Sequence, residues 1–527
     1  MPVAPAASCA KVESTRVVTT VAPEHPAFPH AMVLTVSFVL SPVIGYRMHT
    51  SWLPRVRTPD SVERELIRGG IDGARIWAGA VWRPPPGKRG AVLHAALVEK
   101  PSCCIRRLGG RRSREMQFTR FLRNPSVTTD EMVGYAAELT AGRTAGRDIV
   151  VVQDTSELAL GGPRARTNGY GPVGKGGALG GLLLHAALAL EVGSKALLGL
   201  VDAQIWNRDK GIATARRSRV IAEKESMRWL DTTARAGKFL AAANSVTSVS
   251  DRESDIYELF AARPPNVHQI VRACRDRKIK SAAESETERL FPHIDGLPEA
   301  GRAREEIPAA PGRKARETEL ALRFSPVKLC KPSNTGAPDL PDAIALTLVD
   351  VREVRIPEDG EPIHWRLLTT HTVTNLAEAR RIVDLYRMRW TIEEFFRTLK
   401  TAGFDIEDAD IGDPEVMMKF VAAVTVAAVM VMQLVKARDG TTDQQLADAF
   451  EPDDQPILEA LSAKLEGATA LQKNPHPKGS LAFGAWVIAR LGGWTGYYGK
   501  PGPKVMRRGM EDFRRIKFGT TLRLKDV

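Results

Sequence analysis

The sequence predicts a mixed α/β protein on three observations. Ile149-Val150-Val151-Val152 is a continuous apolar run, as in a central strand buried on both faces. Leu182 to Leu190 and Ala196 to Val201 are apolar runs parted by Gly193-Ser194, the pattern of a hairpin. Asn375 to Leu385 is rich in Ala, Leu and Arg and lacks Pro and Gly, so it reads as helix and runs on as one helix through Tyr386 to Lys400.

At 527 residues the chain has room for more than one domain, and its 43% apolar and 26% charged residues suit a globular chain. The net charge of +13 favours a polyanionic partner, although a generic basic surface gives the same number. The five cysteines, Cys9, Cys103, Cys104, Cys274 and Cys330, show neither a CxxC nor a Cys/His spacing. This suggests neither a disulfide framework nor a zinc site, and fits a reducing cytoplasm. Two apolar runs, 31–46 and Phe420 to Met432, are too short for a membrane span, and the second reads as a buried helix. No membrane partner is expected.

Along the chain, residues 1 to about 110 have Pro-rich patches and no sustained periodicity, and they lead into an arginine cluster at Arg106, Arg107, Arg111, Arg112 and Arg114. The strand from Asp148 runs into Gln153-Asp154-Thr155-Ser156. Asp154 at its end is open to a metal ion, but taken alone it reads as a turn former or helix cap. The Gly-rich Asn168 to Gly181 has no Walker lysine and reads as a flexible loop, and Ala215 to Ala242 reads as a helix with a basic start. Ser245 to Ser250 alternates as a strand and ends at Asp251, which also suits an N-cap. Val267 to Arg272 is another strand. Short β-like runs then alternate with charged loops up to His364-Trp365-Arg366, and Thr441 to Gln472 reads as helical.

On the helix ending at Lys400, Tyr386, Arg389, Glu393 and Lys400 fall within an arc of roughly 60°. Leu385, Met388, Ile392, Phe395, Phe396 and Leu399 form an adjoining apolar arc. Taken singly, each charge reads as part of a solvated helix face.

As a set, Tyr386, Arg389, Glu393 and Lys400 resemble the Tyr-x2-Arg-x3-Glu-x6-Lys signature of the insertion-sequence-four family of DDE transposases. Trp390, Ile392, Glu394 and Phe395 fit the same context. Asp251-Arg252-Glu253-Ser254-Asp255-Ile256-Tyr257-Glu258 is similar to that family's second catalytic motif, and Gln153-Asp154-Thr155-Ser156 to its first. The resemblance covers roughly residues 118 to 520. Before that, the text departs from the family's end-binding domain, as a divergent or frame-shifted segment would.

The resemblance implies a ribonuclease-H-like mixed sheet flanked by helices. It also implies a β-rich insertion at about 275–365, before the third carboxylate, and a helical basic C-terminal domain. Residues 1–127, 128–440 and 441–527 would be the three parts. It implies catalytic, metal-ligating roles for Asp154, Asp251 and Glu393, holding two Mg²⁺ or Mn²⁺ ions per site. Arg389, Arg397, Lys400 and Tyr386 would contact DNA phosphates, and Arg272 would lie near a flipped nucleotide. Trp365 would stack on the displaced base, though a Trp at a sheet edge is more often core. The implied partners are double-stranded DNA, at transposon ends and target, and a second copy in a synaptic homodimer. The implied activity is cut-and-paste transposition in the cytoplasm, at the nucleoid when bound to DNA. The rivals are a nuclease without strand transfer and a non-catalytic DNA-binding relic. The basic tail from Lys500 leaves solvated surface, DNA contact and dimer contact open.

Overall fold

The computed structural model describes residues 86–100, 102–160, 169–208, 221–280, 287–307, 315–333, 339–355, 357 and 361–523, all within one compact unit. The apolar run at 31–46, most of the amino-terminal region, and Arg216, Arg217 and Arg219 lie outside the described residues. Among the described residues four helices come first: α1 (Pro86–Glu99), α2 (Ile105–Gly109), α3 (Arg112–Leu122) and α4 (Thr129–Thr144). Next are β1 (Asp148–Ala159), β2 (Gly171–Val173), β3 (Leu179–Glu191), β4 (Leu197–Trp206), α5 (Met227–Phe239), β5 (Ser245–Ser250), α6 (Tyr257–Ala261) and β6 (Val267–Arg272). The following segment holds β7 (Lys278–Lys280), β8 (Thr287–Arg289), α7 (Leu290–Asp295), β9 (Gly301–Ile307), β10 (Arg316–Cys330), β11 (Ala343–Glu353) and β12 (His364–Thr369). Six helices close the chain: α8 (Leu376–Arg387), α9 (Trp390–Lys400), α10 (Pro414–Ala437), α11 (Asp454–Leu465), α12 (Leu481–Leu491) and α13 (Pro503–Arg523).

The strands form one mixed sheet. β4, β3 and β1 are antiparallel neighbours, and β5 and then β6 continue parallel to β1. This order, with helices over the faces, is consistent with a ribonuclease-H-like fold. The strands after β6 extend the same sheet, because β12 pairs antiparallel with β6 and leads to β11 and β10.

Alternation along β1 shows why the run at 149–152 is apolar throughout. Val150 and Val152 join a large core with Phe395 and Phe420, while Ile149 and Val151 pack with Ala236 and Leu240 at α5. α10 is apolar all round and runs through that large core. Among the described residues it is the one helix long and apolar enough to cross a membrane, yet 78% of its apolar window is buried. Asp413 caps it by accepting from the Glu415 and Val416 amides, with Pro414 in its first turn. Leu97 and Phe121 from the amino-terminal side and Trp486 and Phe513 from the carboxyl-terminal side belong to the same cluster.

Four expectations need correction. The helix expected over Asn375 to Lys400 is two helices, because its hydrogen bonds tighten at Met388-Arg389. There the Met388, Arg389, Thr391 and Ile392 amides donate to carbonyls three residues back. The glycines of 168–181 build structure rather than a flexible loop: β2 pairs with β3, and Gly181 lies so near the Leu158 carbonyl that a Cβ would sit 2.0 Å from its oxygen. The helix expected at Ala215 to Ala242 covers Met227–Phe239. It stops where the chain turns to set the Asn244 amide on the Arg147 carbonyl and enter β5. The stretch Thr441 to Gln472 is helical only at α11 and two short 3₁₀ turns.

Candidate nucleic-acid processing site

β1 continues to Ala159, so Asp154 is not at its end as expected. It lies two residues beyond Val152, the last β1 residue paired with β5, and stays in register with Ala186 of β3. Asp251 directly follows the last residue of β5. Both aspartates therefore stand at the carboxyl edge of the parallel pair, where α/β sheets open a crevice. Asp251 begins a 3₁₀ turn there without capping it through its side chain.

The α8–α9 joint brings the third acid to this edge. Asn375 starts α8 by accepting from the Glu378 amide, and Phe395, Phe396 and Leu399 anchor α9 in the core. At the joint Arg389 turns inward and its side chain is 8% exposed. Its Nη2 lies 2.6 Å from Glu393 Oε1, and its Nη1 lies 3.4 Å from Asp154 Oδ2. The Tyr386 hydroxyl donates to Asp251 Oδ1 at 3.2 Å, and Arg272 Nη1 lies 3.8 Å from the same oxygen. Asp154, Asp251 and Glu393, far apart in sequence, thus meet around Arg389 with Tyr386 and Arg272.

Residues 253–430 match the transposase DDE domain. A transposase DDE domain implies DNA transposition. The DDE-domain match spans Arg272, Trp365, Tyr386, Arg389, Glu393, Arg397 and Lys400; Asp251 and Asp154 precede it and reach the same site through β5 and β1.

Charge shapes the site. Burial lifts the Asp154 carboxyl to about 6, with Asp251 and Glu253 adding to the rise; the Thr155 amide, donating at 2.8 Å, and Arg389 oppose it. Burial, then Asp251, pushes the Tyr386 phenol up to about 12, so it remains a donor at neutral pH. Burial alone would lower Arg389, but its anionic surroundings raise it above the usual arginine value. Oxygen-only ligands suit Mg²⁺ or Mn²⁺, so Asp154, Asp251 and Glu393 fit such ions by their chemistry. Arg389 stands between Asp154 and Glu393, and among the described residues no three His, Cys, Asp or Glu side chains lie close enough together to hold a metal.

The remaining expected residues lie around this centre. Trp365 is 7% exposed, its ring 5.4 Å from that of Tyr386 and 6.2 Å from that of Trp390, so it braces Tyr386 from the core side. Stacking on a base would require it to leave this packing. Arg397 is exposed on α9, and Lys400 Nζ lies 3.6 Å from Glu407. Arg272 also donates to the His364 carbonyl at 3.1 Å, which ties β6 to β12.

Sequence reasoning missed a buried support behind Asp154. Arg228 donates through Nε to Thr155 Oγ1 at 2.8 Å and through Nη2 to Glu253 at 2.8 Å. Thr155 Oγ1 lies 2.9 Å from His185 Nδ1, His185 Nε2 lies 3.1 Å from Gln153 Oε1, and Gln153 Nε2 donates to Ser248 and Thr233. Burial holds His185 well below its usual pKa, and a neutral ring protonated at Nε2 satisfies every link. The available signal was two polar residues, Gln153 and His185, inside otherwise apolar strands.

Proposed function

We propose that this chain is a DNA transposase of the insertion-sequence-four type, cutting and rejoining DNA at the ends of a mobile element. The observation that carries this reading is that Asp154 and Glu393 share one guanidinium at the carboxyl edge of the parallel strands, with Asp251 held beside them by Tyr386. The DDE-domain match over residues 253–430 and the net charge of +13 support it.

Asp154, Asp251 and Glu393 would hold the divalent ions. Two ions there would supply charge stabilisation for the attacking and departing oxygens of a phosphodiester displacement. The protein's own groups position and bind: Tyr386 and Arg272 orient Asp251, the Thr155 amide orients Asp154, and Arg389, Arg397 and Lys400 offer cations to DNA phosphates. No side chain needs to act as a covalent nucleophile, because water, and later a DNA 3′-hydroxyl, attacks. The reading extends to nicking, a hairpin at the element end, its opening and strand transfer, carried out by a homodimer on paired ends in the cytoplasm.

The test is purified protein with Mg²⁺ or Mn²⁺ and duplexes carrying its own element ends. Cleavage should require the metal and be lost in Asp251→Ala and Glu393→Ala, with DNA binding retained. Binding without cleavage in the unsubstituted protein would leave a DNA-binding relic. Cleavage without joining of a pre-cut end to target DNA would leave a nuclease.

A further inference from the structure

Three carboxylates stand at the site, and the group between two of them, Asp154 and Glu393, is a side chain. Arg389 reaches Glu393 at 2.6 Å and Asp154 at 3.4 Å, and its charge also acts on Asp251. Its Nε is buried and bonded to nothing, so electrostatics rather than a filled set of hydrogen bonds holds the guanidinium here. Of the other cations nearby, Arg272 lies 3.8 Å from Asp251 and is already engaged with the His364 carbonyl, and Arg228 acts on Asp154 through its charge while bonded to Thr155 and Glu253. An arginine cannot leave such a place by losing its proton; it can only be displaced.

We propose that Arg389 is the resident counter-cation of this carboxylate cluster, and that divalent cations bind there in competition with it. The inference rests on the transposase reading and adds a second role to a residue otherwise expected only at DNA phosphates. Arg389 keeps Glu393 and Asp154 together and offsets part of the cluster's negative charge while the protein is free. Displacement from Glu393 and Asp154 then makes the guanidinium available to a phosphate as the carboxylates become available to metal. Glu393 is the natural point of release, because its side chain is 56% exposed and lies one helical turn from Arg389. Arg389 acts here as a positioning residue, through the acids.

The experiment titrates Mn²⁺ alone, without DNA, into the full chain, reading free Mn²⁺ by electron paramagnetic resonance and the unfolding midpoint in parallel. Arg389→Ala should bind Mn²⁺ about tenfold more tightly than the unsubstituted protein, a coupling of ordinary size between linked sites. It should melt lower without Mn²⁺ and gain more from its addition. Arg389→Lys, with a compact charge in place of the planar two-pronged fork, should fall between. Equal or weaker Mn²⁺ binding in Arg389→Ala, with Asp154→Asn and Asp251→Asn still lowering affinity, overturns the inference alone. Mn²⁺ binding that ignores those two substitutions, or no binding at all, overturns the transposase reading with it.

Discussion

The Tyr386 hydroxyl donates to Asp251 Oδ1 at 3.2 Å, joining the last turn of α8 to the end of β5. Tyr386 is buried against Trp365, so the phenol is a stiff arm that fixes where the carboxylate points. Tyr386→Phe keeps the ring and removes the arm. Asp251 can recover a water in its place, so stability should fall by only about 1 kcal/mol. Metal-dependent DNA cleavage should fall at least about tenfold, because small misplacements of a reacting group are costly. Single-turnover cleavage beside a thermal unfolding curve checks this, and unchanged cleavage would remove Tyr386 from the site.

The raised carboxyl of Asp154 gives a pH signature with a definite sign. Burial, with Asp251 and Glu253, moves it from 3.8 to about 6, so between these values the folded protein holds a proton that the unfolded chain has lost. The group's stabilising share is complete below about 4 and disappears as pH rises through about 6. Asp154→Asn should therefore flatten the decline in metal-free stability across this window, by about 3 kcal/mol in total. Denaturant midpoints of both proteins at stepped pH measure the difference; parallel curves would show that Asp154 titrates normally.

Sequence periodicity reached as far as local hydrophobic pattern decides structure. The run at 149–152 had to be a doubly covered strand, whereas Tyr386, Arg389 and Glu393, expected on one helical side, come together across the joint between two helices. What stayed hidden depends on neighbours remote in sequence. The break at Met388-Arg389 lies inside a stretch with helical propensity throughout, and only the carboxylates across from it reveal the inward turn of Arg389. The glycines at 171–181 read as a loop because close backbone approach leaves no periodic trace. His185 and Gln153 stand inside apolar strands, and the Gln153 partners on β5 and α5 are remote in sequence.

Gly181 tests that close approach. A Cβ there would lie 2.0 Å from the Leu158 oxygen and 2.7 Å from Val173 Cγ2, and the backbone atom cannot step aside. Gly181→Ala should destabilise the protein by about 2 kcal/mol or more, opening the β1–β3 ladder near Ala159. Gly193→Ala, where nothing lies within 4 Å, should be neutral within about 0.5 kcal/mol. Chemical denaturation of the pair decides; equal midpoints would mean that the ladder accommodates the methyl.

The basic tail holds two kinds of arginine, and among its described residues Arg507 is buried. It is fully buried, with its guanidinium 3.8 Å from the Phe404 ring centroid, and donates to the carbonyls of Gly403, Leu97 and Lys100. These bonds tie α13 to α1 and to the exit from α9. Burial lowers its pKa to about 10, which still leaves it charged at neutral pH. Arg507→Met fills similar space but strips three buried carbonyls of their donor, so it should cost about 3 kcal/mol or more. Arg508, next in sequence and exposed, should tolerate Gln within about 0.5 kcal/mol. If the tail also contacts DNA, the salt dependence of binding should lose about one unit of slope in Arg508→Gln and none in the folded fraction of Arg507→Met. Unfolding curves and a salt series of DNA binding on both variants test this division, and an Arg507→Met protein that unfolds normally yet loses salt dependence would reverse it.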